Sequence, residues 1–212
     1  MNLKPQKQQL LSLLPDALVM TRGSRRGTTR YLTFDDGPHP EYTPRLLDLL
    51  AKLGIRASFF VIGDKVEKFP EVVQRIVSEG HMLGNHSYSH WSFKLMSLRQ
   101  QLAEIHRTDV LLRQFDPRPH HRTRTPRGHL APSLLLYFAT HRRSLVYWSY
   151  DSMDYQKAPQ DVLVKRLLNS PPQPGDIVLM HDDSAKTIGA LEIVLPQWLA
   201  HGHTFEPLPA QA

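Results

Sequence analysis

Two adjacent carboxylates and two spaced histidines are the side chains of this sequence best suited to hold a metal ion. Asp35 and Asp36 follow a short apolar stretch and precede a Gly-Pro turn. Neighbouring carboxylates repel each other, so they need a cation, a shared proton or water nearby. His86 and His90 are separated by three residues, which on one helical turn would place both imidazoles on one face.

One aspartate and both histidines would form a set of three metal ligands. Such a set leaves coordination positions for water and substrate, which is typical of a catalytic rather than a structural site. Zinc is the metal expected from these ligands, and iron, cobalt, nickel or manganese could also bind them. The sequence therefore predicts a divalent metal site made of His86, His90 and one carboxylate of the aspartate pair.

Other polar side chains could move or hold protons beside such a metal. His181 is followed by two acids, and it could be either a third metal-ligating histidine or a proton donor. Asp151 and Asp154 could orient a histidine or accept hydrogen bonds from loop amides. Arg124 would balance the negative charge of the carboxylates.

These residues must be positioned by a chain in which short apolar stretches alternate with amphipathic ones. Apolar residues at helical spacing predict helices over 42–53, 64–79, 98–115, 133–141, 160–169 and 186–200. Short apolar or extended stretches predict strands ending at 34 and covering 57–62, 81–85, 122–125, 145–149, 176–180 and 203–206. About seven βα units predict a parallel sheet with helices outside, closed or nearly closed into a barrel.

The polar groups lie where the predicted strands end. In parallel βα barrels the chemistry occurs at the carboxyl ends of the strands. We therefore expect these groups to face one cleft. They are 35–36, 86–90, 124–128, 151–155 and 179–183.

The composition is that of a single globular domain with a basic bias. The 212 residues carry a formal net charge of +6 and no cysteine, which excludes thiolate chemistry and disulfides. Basic residues are concentrated in 1–30 and 99–143, which suggests contact with an anionic partner or a membrane surface. We predict a leader of a short helix and a loop over 1–27, followed by one domain over 28–212.

A membrane span and a nucleic-acid partner are not expected from the sequence. No apolar run approaches the length of a membrane span, and the N-terminus is not a convincing signal peptide. These features favour a cytoplasmic or membrane-peripheral location. No nucleic-acid-binding module is recognisable, so no nucleic-acid partner is expected.

Over residues 30–206 the sequence resembles the polysaccharide deacetylases of the NodB-homology type, carbohydrate esterase family 4. All five family motifs are present in order. The resemblance implies a distorted (β/α)7 TIM-like barrel that removes N-acetyl groups from N-acetylhexosamine units of a polysaccharide or oligosaccharide. It also implies Asp35 as general base and Asp36, His86 and His90 as ligands of a divalent metal, with zinc first and cobalt, nickel or manganese possible.

The resemblance assigns roles at the other strand ends as well. It implies that Arg124 holds the base and that the Arg127 N–H binds the oxyanion. It also implies that His181 is the general acid and that Asp154 tunes this histidine. Leu179 would form a wall of the pocket for the acetyl group. The sequence departs from the family pattern in Arg127, where an aromatic residue is frequent, and in Tyr155, where tryptophan is usual. Neither departure removes a catalytic group, but both would alter the wall of the substrate groove.

Two other functions remain open at this point. The arginine-rich segment, with Arg127 and His129 at the groove, could hold a phosphate, which would make the substrate a lipid-linked or phosphorylated amino sugar. A catalytically inactive carbohydrate-binding barrel is the second alternative. The presence of base, acid and all three metal ligands argues against it.

Overall fold

The computed structural model describes residues 9–24 and 27–211, and in this part of the chain the strands pair in parallel. The strands are β1 (Val19–Met20), β2 (Thr29–Asp35), β3 (Ser58–Val61), β4 (Met82–Asn85), β5 (Leu145–Val146), β6 (Tyr150–Asp151), β7 (Ile177–His181) and β8 (Thr204–Phe205). The helices are α1 (Tyr42–Lys52), α2 (Gly63–Lys68), α3 (Pro70–Ser78), α4 (Leu98–Leu112), α5 (Pro132–Thr140), α6 (Gln160–Asn169) and α7 (Ala185–Ala200).

The sheet curves into a distorted barrel with β2 at its centre. Neighbouring strands follow the order β4-β3-β2-β7-β6, and β8 pairs with the first residues of β2. Beyond β4, Thr123 bridges Asn85 to Leu145 and so connects β4 to the β5–β1 pair. Residues 145–151 close the ring, because β5 pairs beside Thr123 whereas β6 pairs with β7. The prediction of a distorted (β/α)7 barrel is confirmed.

Side chains on β2 alternate between the helical layer and the barrel interior. Leu32 and Phe34 pack in the main hydrophobic cluster with residues of α1 and α7, whereas Tyr31 belongs to a separate cluster with Phe60. This alternation is the two-residue period of a strand. In the register of β2 with β7, Asp35 lies directly opposite His181, so two polar groups meet at the carboxyl edge of the barrel.

Several predicted elements are shorter or divided in the structure. The predicted helix 64–79 is two helices that break at Phe69, where φ is −133°, because the residue before a proline disfavours helical backbone. The predicted strand 145–149 is reduced to β5 (Leu145–Val146), and β6 (Tyr150–Asp151) begins just after its predicted end, where the chain changes neighbours. The predicted strand 122–125 is reduced to the bridges of Thr123, and the helix predicted over 98–115 ends at Leu112.

The described part of the predicted leader packs against the barrel. Leu11 and Val19 are buried in a second hydrophobic cluster with Phe93 and Phe138, and β1 pairs with β5, which the sequence did not predict. Residues 1–8 and 25–26 of the predicted leader lie outside the described residues. In the described part of the chain, no helix combines the length and the apolarity that crossing a membrane requires.

Candidate active site

A cavity of about 450 Å³ opens at the carboxyl ends of the strands. Its wall combines carboxylates and imidazoles with aromatic and aliphatic side chains, a mixture common in small-molecule sites. The strand-end clusters predicted to face one cleft all contribute to it. The lining residues are Asp35, Asp36, His86, His90, Arg127, Tyr147, Trp148, Asp151, Tyr155, Leu179 and His181.

Asp36, His86 and His90 bring three potential metal-ligating atoms together. Oδ1 of Asp36 lies 3.3 Å from Nε2 of His86 and 3.3 Å from Nε2 of His90. This Oδ1 atom is buried and accepts no hydrogen bond from the described residues. A buried carboxylate oxygen facing two imidazole nitrogens fits a divalent cation, so the residues present suit the metal that the motifs implied.

The spacing of the two histidines suggested a helical turn, but the structure does not place them on one. They lie on a loop after β4, in which Ser87 and His90 have left-handed φ values of 67° and 56°. Two hydrogen bonds among residues 85–90 stabilise this folded-back loop. The N–H of Ser87 donates to Oδ1 of Asn85, and the N–H of His90 lies 3.2 Å from Oγ of Ser87.

Helix α4 supports this loop through two acids that the sequence analysis did not assign to the site. Asp109 accepts a 2.8 Å hydrogen bond from the Asn85 side chain, and Glu104 accepts 2.7 Å hydrogen bonds from both the N–H and the hydroxyl of Ser89. The available sequence signal was weak, namely an asparagine directly before His86 and two acids spaced five apart on a helix.

The tautomer of His86 is determined by its surroundings. Nδ1 of His86 lies 2.7 Å from the carbonyl oxygen of Arg124, which can only accept, so Nδ1 carries the proton. The Nε2 lone pair is therefore directed at Asp36 and is available to a metal. Burial raises the pKa of the Asp36 carboxyl, but the imidazoles of His86, His90 and His181 outweigh this and hold that pKa well below its usual range.

Asp35 is held by a fully buried arginine. Nη1 of Arg124 donates to Oδ1 of Asp35 at 2.7 Å and to Oγ1 of Thr33 at 2.8 Å, and the guanidinium lies 4.2 Å from the centre of the Phe60 ring. Burial lowers the pKa of Arg124, while the charge of Asp35 opposes that change. The second oxygen of Asp35 remains directed towards the cavity, 3.7 Å from Nε2 of His86.

His181 is oriented by Asp154 on the other side of the cavity. Nδ1–H of His181 donates to Oδ1 of Asp154 at 2.8 Å, and the backbone N–H of His181 donates to Oδ2 at 2.8 Å. Burial lowers the pKa of His181, but the hydrogen bond and charge of Asp154, aided by Asp35 and Asp36, raise it to about 9. Nε2 of His181 lies 4.0 Å from Asp36, outside the three-residue metal group, which favours a proton donor over a third metal ligand.

Aromatic side chains form the remaining wall, and two of them were not predicted. Tyr147 and Trp148 stack with their ring centres 4.1 Å apart, and a Cβ on Gly128 would lie 2.7 Å from both rings. Position 128 therefore has to be glycine for the arginine loop to close onto this wall. Tyr155, which was predicted, sets its ring edge-on to His181 with centres 5.7 Å apart.

The chain belongs to the polysaccharide deacetylase family, whose model matches residues 22–142. The resemblance found in the sequence is thereby confirmed. Among curated relatives, the peptidoglycan-N-acetylglucosamine deacetylase of Bacillus cereus is 32% identical over 183 residues, which cover 84% of this chain and 66% of that protein. The chitooligosaccharide deacetylase of Sinorhizobium fredii is 32% identical over 193 residues, which cover 84% of this chain and 89% of that protein.

A solved structure is similar over nearly the whole chain. The crystal structure of the Bc1960 peptidoglycan N-acetylglucosamine deacetylase aligns with a TM-score of 0.84 at 30% identity, covering 91% of both chains. The order and geometry of the barrel are therefore those of the family.

Proposed function

We propose that this protein is a hydrolase that removes the acetyl group from N-acetylhexosamine units of a glycan, with a divalent metal, most simply zinc, held by Asp36, His86 and His90. The observation that carries the proposal is the convergence of a metal group, a charge-paired carboxylate and an oriented imidazole in one cavity. The names of the relatives support the substrate class.

The metal would supply Lewis acidity to the acetamide carbonyl and to the attacking water. Asp35 accepts the proton of that water, because its free oxygen faces the cavity while Arg124 and Thr33 fix the other oxygen. Arg124 holds and orients Asp35, so it is a positioning residue.

His181 donates a proton to the departing amine. Its pKa of about 9 keeps it protonated at neutral pH, and the bond to Asp154 leaves Nε2–H directed into the cavity. The N–H of Arg127, in its left-handed turn, would donate to the oxyanion of the tetrahedral intermediate, and Leu179 would contact the acetyl methyl. The products are acetate and a free amino sugar.

An inactive carbohydrate-binding barrel is less well supported. A protein that only binds has no need for a buried Arg124–Asp35 pair beside a metal group, since burying charge costs free energy. The complete set of proton donor, proton acceptor and ligands favours turnover.

The test is acetate release from chitooligosaccharides and peptidoglycan fragments, with zinc, with cobalt and with EDTA. We expect Asp35→Asn and His181→Ala to lose turnover by at least about 100-fold while each still binds one metal ion, and His201→Ala, an exposed histidine elsewhere, to retain activity. Full activity in Asp35→Asn or His181→Ala would contradict the assigned roles. Absence of acetate with every substrate and metal would contradict the function itself.

A further inference from the structure

Arg127 is a charged residue of the cavity for which no ion pair is found among the described residues. Asp35 is paired with Arg124, His181 with Asp154, and Asp36 with the two imidazoles. In the described part of the chain, by contrast, no acid forms an ion pair with Arg127, although its side chain is exposed and lines the cavity.

The backbone keeps this guanidinium in the cavity wall. Arg127 has φ 54° and ψ 21°, a left-handed conformation that is uncommon for residues other than glycine. The next residue, Gly128, is packed against Trp148 and Tyr147, and its N–H donates to the carbonyl of Thr125 at 2.9 Å. The turn is therefore held at Gly128 by the aromatic pair, and the Arg127 side chain lines the same cavity as these two rings.

An anion bound there would be partly removed from water by the aromatic rings. Its contact with the guanidinium would then be stronger than that of an exposed ion pair. Guanidinium offers parallel N–H groups that match the two oxygens of a carboxylate or phosphate, which neutral sugar hydroxyls do not match.

We infer that Arg127 binds an anionic substituent of the substrate, so that the preferred substrates are N-acetylated amino sugars bearing a carboxylate or a phosphate near the acetamide. This inference rests on the proposed function and specifies its substrate class. Neutral oligosaccharides are then the poorer substrates.

The experiment compares substrates that differ only in the acidic group. Methyl N-acetylglucosaminide is the neutral reference, its 3-O-carboxyethyl ether carries a carboxylate, and N-acetylglucosamine 1-phosphate carries a phosphate. For each, kcat/KM for acetate release is measured in the wild type, Arg127→Gln, Arg127→Lys and Arg142→Gln. Arg142 is the matched control, because it is an exposed arginine with φ 51° outside the cavity.

The informative quantity is the ratio of kcat/KM for an acidic substrate to kcat/KM for the neutral one. Any effect of the substitution on the backbone of the turn enters both values and cancels in the ratio. We expect the wild type to favour at least one acidic substrate, and Arg127→Gln to lower that ratio on the order of tenfold, as for loss of a hydrogen-bonded charge pair. Arg127→Lys should retain part of it and Arg142→Gln all of it, and 0.5 M salt should reduce it in the wild type.

Each outcome bears on the inference. The carboxylate and phosphate arms identify which anion is preferred. A wild-type ratio near one, or an unchanged ratio in Arg127→Gln, overturns the inference and leaves the deacetylase function standing. If Arg127→Gln does not fold, Arg127→Lys and the salt dependence of the wild type decide. No acetate from any substrate overturns both the function and the inference.

Discussion

The Arg124–Asp35 pair provides the sharpest test of how the site is held. Replacing Arg124 by methionine keeps much of the side-chain volume over the Phe60 ring but removes the cation. Asp35, which is only 3% exposed, would then be a buried carboxylate without its counter-charge. Asp35→Asn performs the converse change and leaves the fully buried Arg124 guanidinium unpaired.

Each single substitution should reduce the free energy of unfolding substantially. Breaking a buried ion pair by removing one partner costs about 3–5 kcal/mol, because the remaining charge is not compensated. For a chain of this size, each kcal/mol lowers Tm by about 2–4 °C, so Arg124→Met should melt roughly 10 °C below the wild type. The double variant Arg124→Met/Asp35→Asn contains no unpaired charge, so it should lose much less than the sum of the two single losses.

The assay is urea unfolding followed by tryptophan fluorescence, with EDTA present so that metal binding does not add to the apparent stability. A double-mutant cycle gives the coupling free energy, which we expect to be at least about 2 kcal/mol. If the two single losses add to the double loss within about 0.5 kcal/mol, the pair is not coupled and the reasoning fails.

Three further predictions concern two residues around the site and one outside it. Asp154→Asn removes the strongest favourable contact of the His181 imidazolium, so the pKa of His181 should fall from about 9 towards 6.5 and the alkaline limb of the kcat profile should move to lower pH. Glu104→Ala removes both acceptor contacts of Ser89, so zinc affinity, measured by chelator competition, should fall about 10–100-fold. Burial lowers the pKa of His81 to about 4. Its contribution to the free energy of unfolding is therefore present above pH 6.5 and is lost as the pH falls towards 4. In urea unfolding measured against pH, His81→Gln should remove up to about 3 kcal/mol of this pH dependence.

Controls and contrary results are available for each. An alkaline limb that stays in place in Asp154→Asn would show that His181 does not set it. Glu71→Ala alters an exposed glutamate elsewhere and should leave zinc affinity unchanged, and equal affinity in Glu104→Ala would refute the support given to the loop. His81→Gln retains an acceptor for the Ala57 N–H, so a wild-type slope in this variant would place the titration elsewhere.

The strand-end clusters could be predicted because polar residues that directly follow apolar strands lie at the carboxyl edge of a parallel barrel. The sequence also predicted the grouping of His86, His90 and one aspartate because ligand types are recognisable without geometry. It misread the spacing of the two histidines as a helical turn. The left-handed backbone at His90 depends on Asn85 and Glu104, and the second of these is 14 residues away.

The pairing of strands that are distant in the chain could not be predicted from the sequence. The stretch 145–151 is apolar and aromatic enough to be one strand, and only its two different partners divide it into β5 and β6. The same change of partner brings Tyr147 and Trp148 into the cavity wall. Strand pairing is decided by the closure of the whole barrel, and a local pattern of apolar residues does not predict it.

The register of β2 with β7 has a consequence for how the enzyme can change. Asp35 and His181 are opposed on adjacent strands, so their backbones are about 4.8 Å apart whatever the loops contain. A slip of one residue would turn one of them to the other face and separate the proposed proton acceptor from the proposed proton donor. The residues that face the rest of the substrate, Arg127 and Tyr155 among them, are on loops that contribute nothing to this spacing. Substrate range can therefore diverge by loop exchange while the distance between the two proposed proton-transfer residues stays constant.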